Sequence, residues 1–194
     1  RHPNSHGRNG RRRAVNAQPA ATMSTGPRLH PAVMSAKDDL AAGRNKLRKQ
    51  HESGSLGVQV CAHFAELLDG IVESLFHAAV GELDRSLQES ALHDTCVVLH
   101  SGSGRREMAP FSDLDVMLLH PRGADDKYLP LVRRFSQHLY DTGLDVGFSA
   151  RSPQQAVQFA RGDATIFTAV TEARRLVGSQ ALFVRHDVAS EEDW

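Results

Sequence analysis

The sequence predicts an α+β fold, with an N-terminal helical arm followed by a small mixed β-sheet flanked by helices. Three observations carry this. Before residue 90, apolar residues recur at three- and four-residue spacing, the period of a helix with one buried face. Two short apolar runs then follow, Cys96-Val97-Val98-Leu99 and Val116 to Leu119, succeeded by amphipathic helical patterns and a third strand candidate, the alternation of a sheet covered by helices. Between the two runs lies a turn of small residues that ends in a pair of aspartates, Asp113 and Asp115.

Lysine plus arginine balance aspartate plus glutamate at 23 each, so bulk charge makes no case for nucleic-acid binding. The balance conceals an asymmetry, because the first 35 residues hold six arginines and no acid. The remainder is therefore net acidic. Residues 1–34 read as a disordered basic tail: arginine, asparagine, histidine, proline and alanine cannot bury enough apolar surface to offset the entropy of ordering. Arg11-Arg12-Arg13 has no apolar segment beside it, which excludes a secretory signal.

Residues 35–90 form the expected helical arm. Ser35 can cap a first helix whose opening turn holds Asp38 and Asp39 and whose far end holds Lys46, Arg48 and Lys49, the arrangement that the helix dipole favours. Gly54 and Gly57 interrupt, and a longer helix is expected from Val58 to Leu87, with Phe64, Leu68, Ile71, Val72, Leu75 and Phe76 on its buried side. His63 and His77 have no Cys or His partner at zinc-ligand spacing and read as surface or half-buried residues. The two cysteines, Cys61 and Cys96, sit beside apolar neighbours and read as reduced thiols of a cytoplasmic protein. His93-Asp94 and His186-Asp187 are isolated dipeptides to which no metal role is given. No apolar run reaches membrane-spanning length.

Residues 91–194 hold the chemistry. The segment His100-Ser-Gly-Ser-Gly-Arg-Arg-Glu-Met-Ala-Pro-Phe-Ser-Asp113-Leu-Asp115 reads as a strand running into a phosphate loop, a short helix and a metal-binding strand. Glycine lets backbone N–H groups approach phosphate oxygens closely. Side chains two apart on a strand share a face, so Asp113 and Asp115 present two carboxylates to the same cations while Leu114 points into the core. Mg²⁺ takes carboxylate and phosphate oxygens together, so the pattern indicates a metal-bound nucleoside triphosphate. Gly102, Ser103 and Gly104 are the candidate phosphate ligands. Arg105 is the nearest cation, with a salt bridge to Glu107 or Asp113 as its alternative role. Downstream, a helix is expected from Lys127 to Asp141, a third strand around Leu144 to Ser149, a helix opened by Ser152-Pro153, and a last helix from Ala164 to Leu176 capped by Asp163 and ended by Gly178.

Three blocks resemble a known family. Ser101-Gly-Ser-Gly-Arg-Arg-Glu-Met-Ala-Pro-Phe-Ser-Asp-Leu-Asp115 resembles the glycine loop and D-x-D of the polymerase-β-type nucleotidyltransferases. It is most similar to the uridylyltransferase/uridylyl-removing enzymes of the nitrogen-regulatory PII protein. Asp141-Thr-Gly-Leu-Asp-Val-Gly-Phe-Ser-Ala-Arg151 and Asp163-Ala-Thr-Ile-Phe-Thr-Ala-Val-Thr-Glu-Ala-Arg-Arg-Leu-Val-Gly178 are similar to that family's next two blocks, in the same order. Ser101, Ser103 and Phe148 depart from its glycine, tyrosine and histidine.

The resemblance implies a nucleotidyltransferase-type sheet, Mg²⁺ held by Asp113 and Asp115, UTP as donor and a tyrosine of PII as acceptor, in a fragment that stops before the family's further domains. It also implies a third carboxylate from a later strand. Asp145 is the candidate, facing away from Leu144 and Val146, and Asp141 is its rival. Another acceptor, or a non-catalytic nucleotide-binding regulatory module, are the alternative readings. Neither a membrane nor a nucleic-acid partner is expected.

Overall fold

The computed structural model describes residues 28–161, 168 and 171–184, and over these the chain is α+β. Its elements in order are α1 (Pro31–Glu52), α2 (Gly57–Gly81), α3 (Arg85–Asp94), β1 (Cys96–Leu99), α4 (Ser101–Gly104), β2 (Leu114–Leu119), α5 (Asp125–Asp141), β3 (Val146–Arg151), α6 (Pro153–Ala160) and β4 (Arg174–Gly178). The sheet is mixed, with strand order β3-β2-β1-β4. β1 pairs antiparallel with β2 and with β4, whereas β2 and β3 run parallel, joined by α5 as the crossover that parallel strands require.

Strand alternation divides the core in two. Val97, Leu99, Leu114, Val116 and Leu118 face α2 and α5 in the larger core. Cys96, Val98, Met117 and Leu119 face the other way, against Ala156 of α6 and Leu182. The larger core is centred on Phe135 of α5, fully buried, which meets Phe76 of α2 edge-on at 5.6 Å and Phe148 of β3 edge-on at 5.7 Å. One ring thus joins the arm, the crossover helix and the sheet. Burial of the Cys96 thiol pushes its pKa up to about 12, and both cysteines are free.

The start of α1 differs from expectation. The helix begins at Pro31, with His30 as its cap accepting the Ala32 N–H at 3.2 Å, because proline's fixed φ suits the first turn and this turn buries Val33. The expected disordered tail lies outside the described residues up to position 27; the helix occupies its last four positions. The long helix expected from Val58 to Leu87 is two. α2 ends at Gly81, Asp84 takes an extended conformation to start α3, and the Gln88 side chain donates to the Leu83 carbonyl at 2.7 Å, satisfying a group that the break exposes.

The last helix is also corrected. Residues 162–167, 169 and 170, including its expected cap Asp163, lie outside the described residues, but Arg174–Gly178 form strand β4 rather than a helix end. β1 would otherwise present an open edge, and pairing with it outweighs the local helical pattern.

Smaller groups have structural roles. His63 and His77 are exposed. Asp94 accepts from the buried Tyr128 hydroxyl at 3.0 Å and pairs with Lys127, while His186-Asp187 lies outside the described residues. The start of α1 is latched to the body where His30 stacks on His138 and His138 Nε2 lies 2.8 Å from Glu82. These three could be taken for a cation site. His30 Nδ1, however, already accepts the Ala32 N–H, and Arg134 already stands by Glu82. Truncating the central ring, Phe135→Ala, is expected to cost about 3–5 kcal/mol, measured as a lower urea midpoint with unchanged slope.

Candidate functional site

The site lies where β1 ends and β2 and β3 begin. Because β1 is antiparallel to β2, and β2 is parallel to β3, these three chain ends meet at one end of the sheet. After Leu99 the chain is extended at His100, turns through a left-handed Ser101 (φ 54°), makes the single helical turn α4, and leaves through a left-handed Arg106 (φ 59°). The Gly104 N–H donates to the His100 carbonyl at 3.0 Å and the Glu107 N–H to the Gly102 carbonyl at 2.9 Å. The amides of Gly102 and Ser103 precede the first helical bond and have no backbone acceptor among the described residues, the usual state of a helix's first donors. Of the three amides expected for phosphate, the one on Gly104 is therefore already engaged.

Ser103 is turned inward. Only 1% exposed, its hydroxyl accepts the Asp115 N–H at 3.1 Å and donates to Met108 Sδ at 3.3 Å, so it ties the turn to the strand that carries the aspartates. Gly104 is required by close approach: a Cβ there would stand 2.1 Å from the Glu172 carbonyl oxygen. Arg105 pairs with Glu107 at 2.8 Å and with Glu172, the brace weighed as its alternative to phosphate contact.

The carboxylates line one face. Asp113 is exposed and Asp115 half-buried, and neither makes a side-chain hydrogen bond or ion pair among the described residues, which leaves their oxygens open to cations. Leu114 pairs with Val146 and Asp115 with Gly147, so alternation puts Asp145 and Gly147 on the face of Asp113 and Asp115. A Cβ on Gly147 would stand 2.7 Å from Asp115 Oδ1. Glycine keeps space free at that oxygen, and a hard divalent ion suits such a donor set. Asp145 is exposed just before β3, its carbonyl accepting the Leu114 N–H at 2.9 Å. Asp141 ends α5, and its carbonyl takes the Lys37 ammonium.

The structure adds residues that sequence reasoning passed over. His100 lies beside Asp115; burial lowers its pKa, against the opposing pull of that carboxylate, so the ring tends to stay neutral. Its place directly after β1 was the available signal. Asp69 of α2 pairs with Arg174 at 2.8 Å and Arg106 at 3.1 Å. An acid on a buried helical stripe was the signal there. Arg44 of α1 lies over the exposed Phe111 ring at 5.6 Å, so α1 and α2 both reach the segment leading to the aspartates. Changing Ser103 to Ala leaves the Asp115 N–H without its acceptor, and is expected to cost about 1–3 kcal/mol in a denaturant titration while unfolding stays cooperative.

Comparison with known proteins adds lineage to this geometry. No family model matches the chain. It is 33% identical over 186 residues, 95% of the chain and 20% of the relative, to the bifunctional uridylyltransferase/uridylyl-removing enzyme of Novosphingobium aromaticivorans. The enzyme of the same name from Erythrobacter litoralis gives the same identity and coverage. That of Azospirillum brasilense is 32% identical over 166 residues, 85% of the chain and 18% of the relative. The chain thus spans about a fifth of the length of the curated relatives it matches. It is homologous to a part of the bifunctional uridylyltransferase/uridylyl-removing enzymes.

Proposed function

We propose that this chain carries the Mg²⁺-dependent nucleotidyltransferase part of such an enzyme, and that it transfers UMP from UTP to a tyrosine of the PII protein in the cytoplasm. In this reading residues 35–90 are its helical arm and residues 91–194 its transferase domain. One observation carries the reading: two carboxylates without a side-chain partner among the described residues, aligned by register with a third, stand beside a turn whose first amides have no backbone acceptor among those residues, in a chain homologous to part of the bifunctional uridylyltransferase/uridylyl-removing enzymes.

Each residue then has a task. Asp113 and Asp115 hold Mg²⁺, which when bound neutralises charge developing on the phosphates. The Gly102 and Ser103 amides donate to phosphate oxygens, as backbone groups preset for an anion do. Ser103's hydroxyl keeps the turn at a constant position relative to Asp115. Asp145 accepts the proton of the tyrosine hydroxyl while that hydroxyl's oxygen bonds to the α-phosphorus; the bond from the α-phosphorus to the α–β bridging oxygen breaks and pyrophosphate leaves. Arg105 steadies the turn through Glu107 and Glu172.

Asp113→Asn and Asp115→Asn keep shape but remove charge, and each should abolish Mg²⁺-dependent transfer of label from UTP to PII while the fold persists. Activity retained in both variants refutes the assignment. Substrate choice has a separate test. At a hundred times its dissociation constant, a ligand of the native state stabilises by about 2.7 kcal/mol, so Mg²⁺–UTP should raise the thermal midpoint more than ATP or GTP at equal concentration. Equal shifts with all three would refute the preference for uridine.

A further inference from the structure

Ala65, Asp69, Val72 and Phe76 are all buried on α2, at the four- and three-residue spacing of a single helical face. Asp69 therefore occupies a place where an apolar side chain would pack, and a carboxylate is tolerated there only if it is paired. Both of its partners belong to the site. Arg106 is the left-handed residue at the exit of the turn, a conformation costly for any residue with a Cβ. Arg174, on β4, gives Nη2 to Asp69 at 2.8 Å. The same guanidinium donates from Nε to the Gly104 carbonyl and from Nη2 to the Ser103 carbonyl, each at 3.2 Å. These are the last carbonyls of α4, where a helix runs short of its own donors; the Ser103 carbonyl also accepts the Arg106 N–H at 3.4 Å.

We infer that Asp69 is a positioning residue for the nucleotide turn. Acting through Arg174 and Arg106, it sets the orientation of the peptide groups of α4, and with them the amides of Gly102 and Ser103. The helical arm is then a working part of the transferase. The role assigned to the amides rests on the proposed nucleotide reading; the mechanical role of Asp69 does not. A planar fork is needed at Arg174, since an ammonium lacks the rigid set of donors that meets a carboxylate and two carbonyls together.

The test uses the 194-residue chain with Asp69→Asn, Arg174→Lys and the pair combined. Amide hydrogen exchange is followed at residues 102–107 and in the core at Phe76 and Leu118, and Mg²⁺–UTP affinity by calorimetry. Loss of a hydrogen bond to a charged group predicts about a tenfold or greater rise in exchange in the turn, with a similar rise in Kd, and no change in the core. The double variant should be no worse than the worse single one, because both act on one linkage. Turn exchange unchanged in both single variants, or loosening spread equally through the core, overturns the inference; if Asp69→Asn does not fold, Arg174→Lys decides alone. Turn exchange that responds in a chain whose parent binds no Mg²⁺–nucleotide refutes the nucleotide reading and leaves the positioning role standing.

Discussion

The buried Asp69 carboxylate is the constraint on which the arrangement of this molecule depends. It joins α2 to Arg174 on β4 and to Arg106 at the exit of the turn, three segments far apart in sequence. Removing the carboxylate would leave a guanidinium half-buried against two backbone carbonyls without its counter-charge, and such uncompensated charge is more costly than the pair is stabilising. The pair is thus better understood as specifying geometry than as adding stability.

Strand direction does the rest. Parallel pairing of β2 with β3 brings two strand starts together, and antiparallel pairing of β1 brings its end to the same place. Acids on either side of Leu114, the first residue of β2, and just before β3 consequently share one face, away from the α2–α5 core. Like charges gathered in this way repel one another, which a divalent cation relieves. Gly147 fits the same requirement, since any side chain there would crowd Asp115. Along β2, the residues beyond Asp115 on this face are Met117 and Leu119, packed with Ala156 of α6, so the apolar cover begins where the carboxylates end.

The turn shows how little freedom its small residues retain. Ser103 is committed to Asp115 and Met108, Gly104 to contact with Glu172, and Arg105 to two glutamates. A loop composed of serine and glycine is often pictured as pliable. Here the small side chains permit close packing, which holds the backbone groups of the turn in place.

Much of this was legible in the residues. Local period and turn chemistry identified the N-terminal helices, the first three strands and the turn that leads to the D-x-D, because each depends on neighbours within a few positions. The break at Gly81, the start at Pro31 and the strand at Arg174–Gly178 were misjudged for a common reason: pairing and packing with distant segments outweighed weak local preference. Asp69, His100 and the inward turn of Ser103 also depend on contacts across the fold. By itself, then, the sequence determined the candidate residues and, through strand alternation, that Asp113 and Asp115 share one face. Only the tertiary structure decided which distant acid, arginine and glycine meet at the turn, since strand direction and the pairing of buried charge are set by long-range contacts that no local window contains.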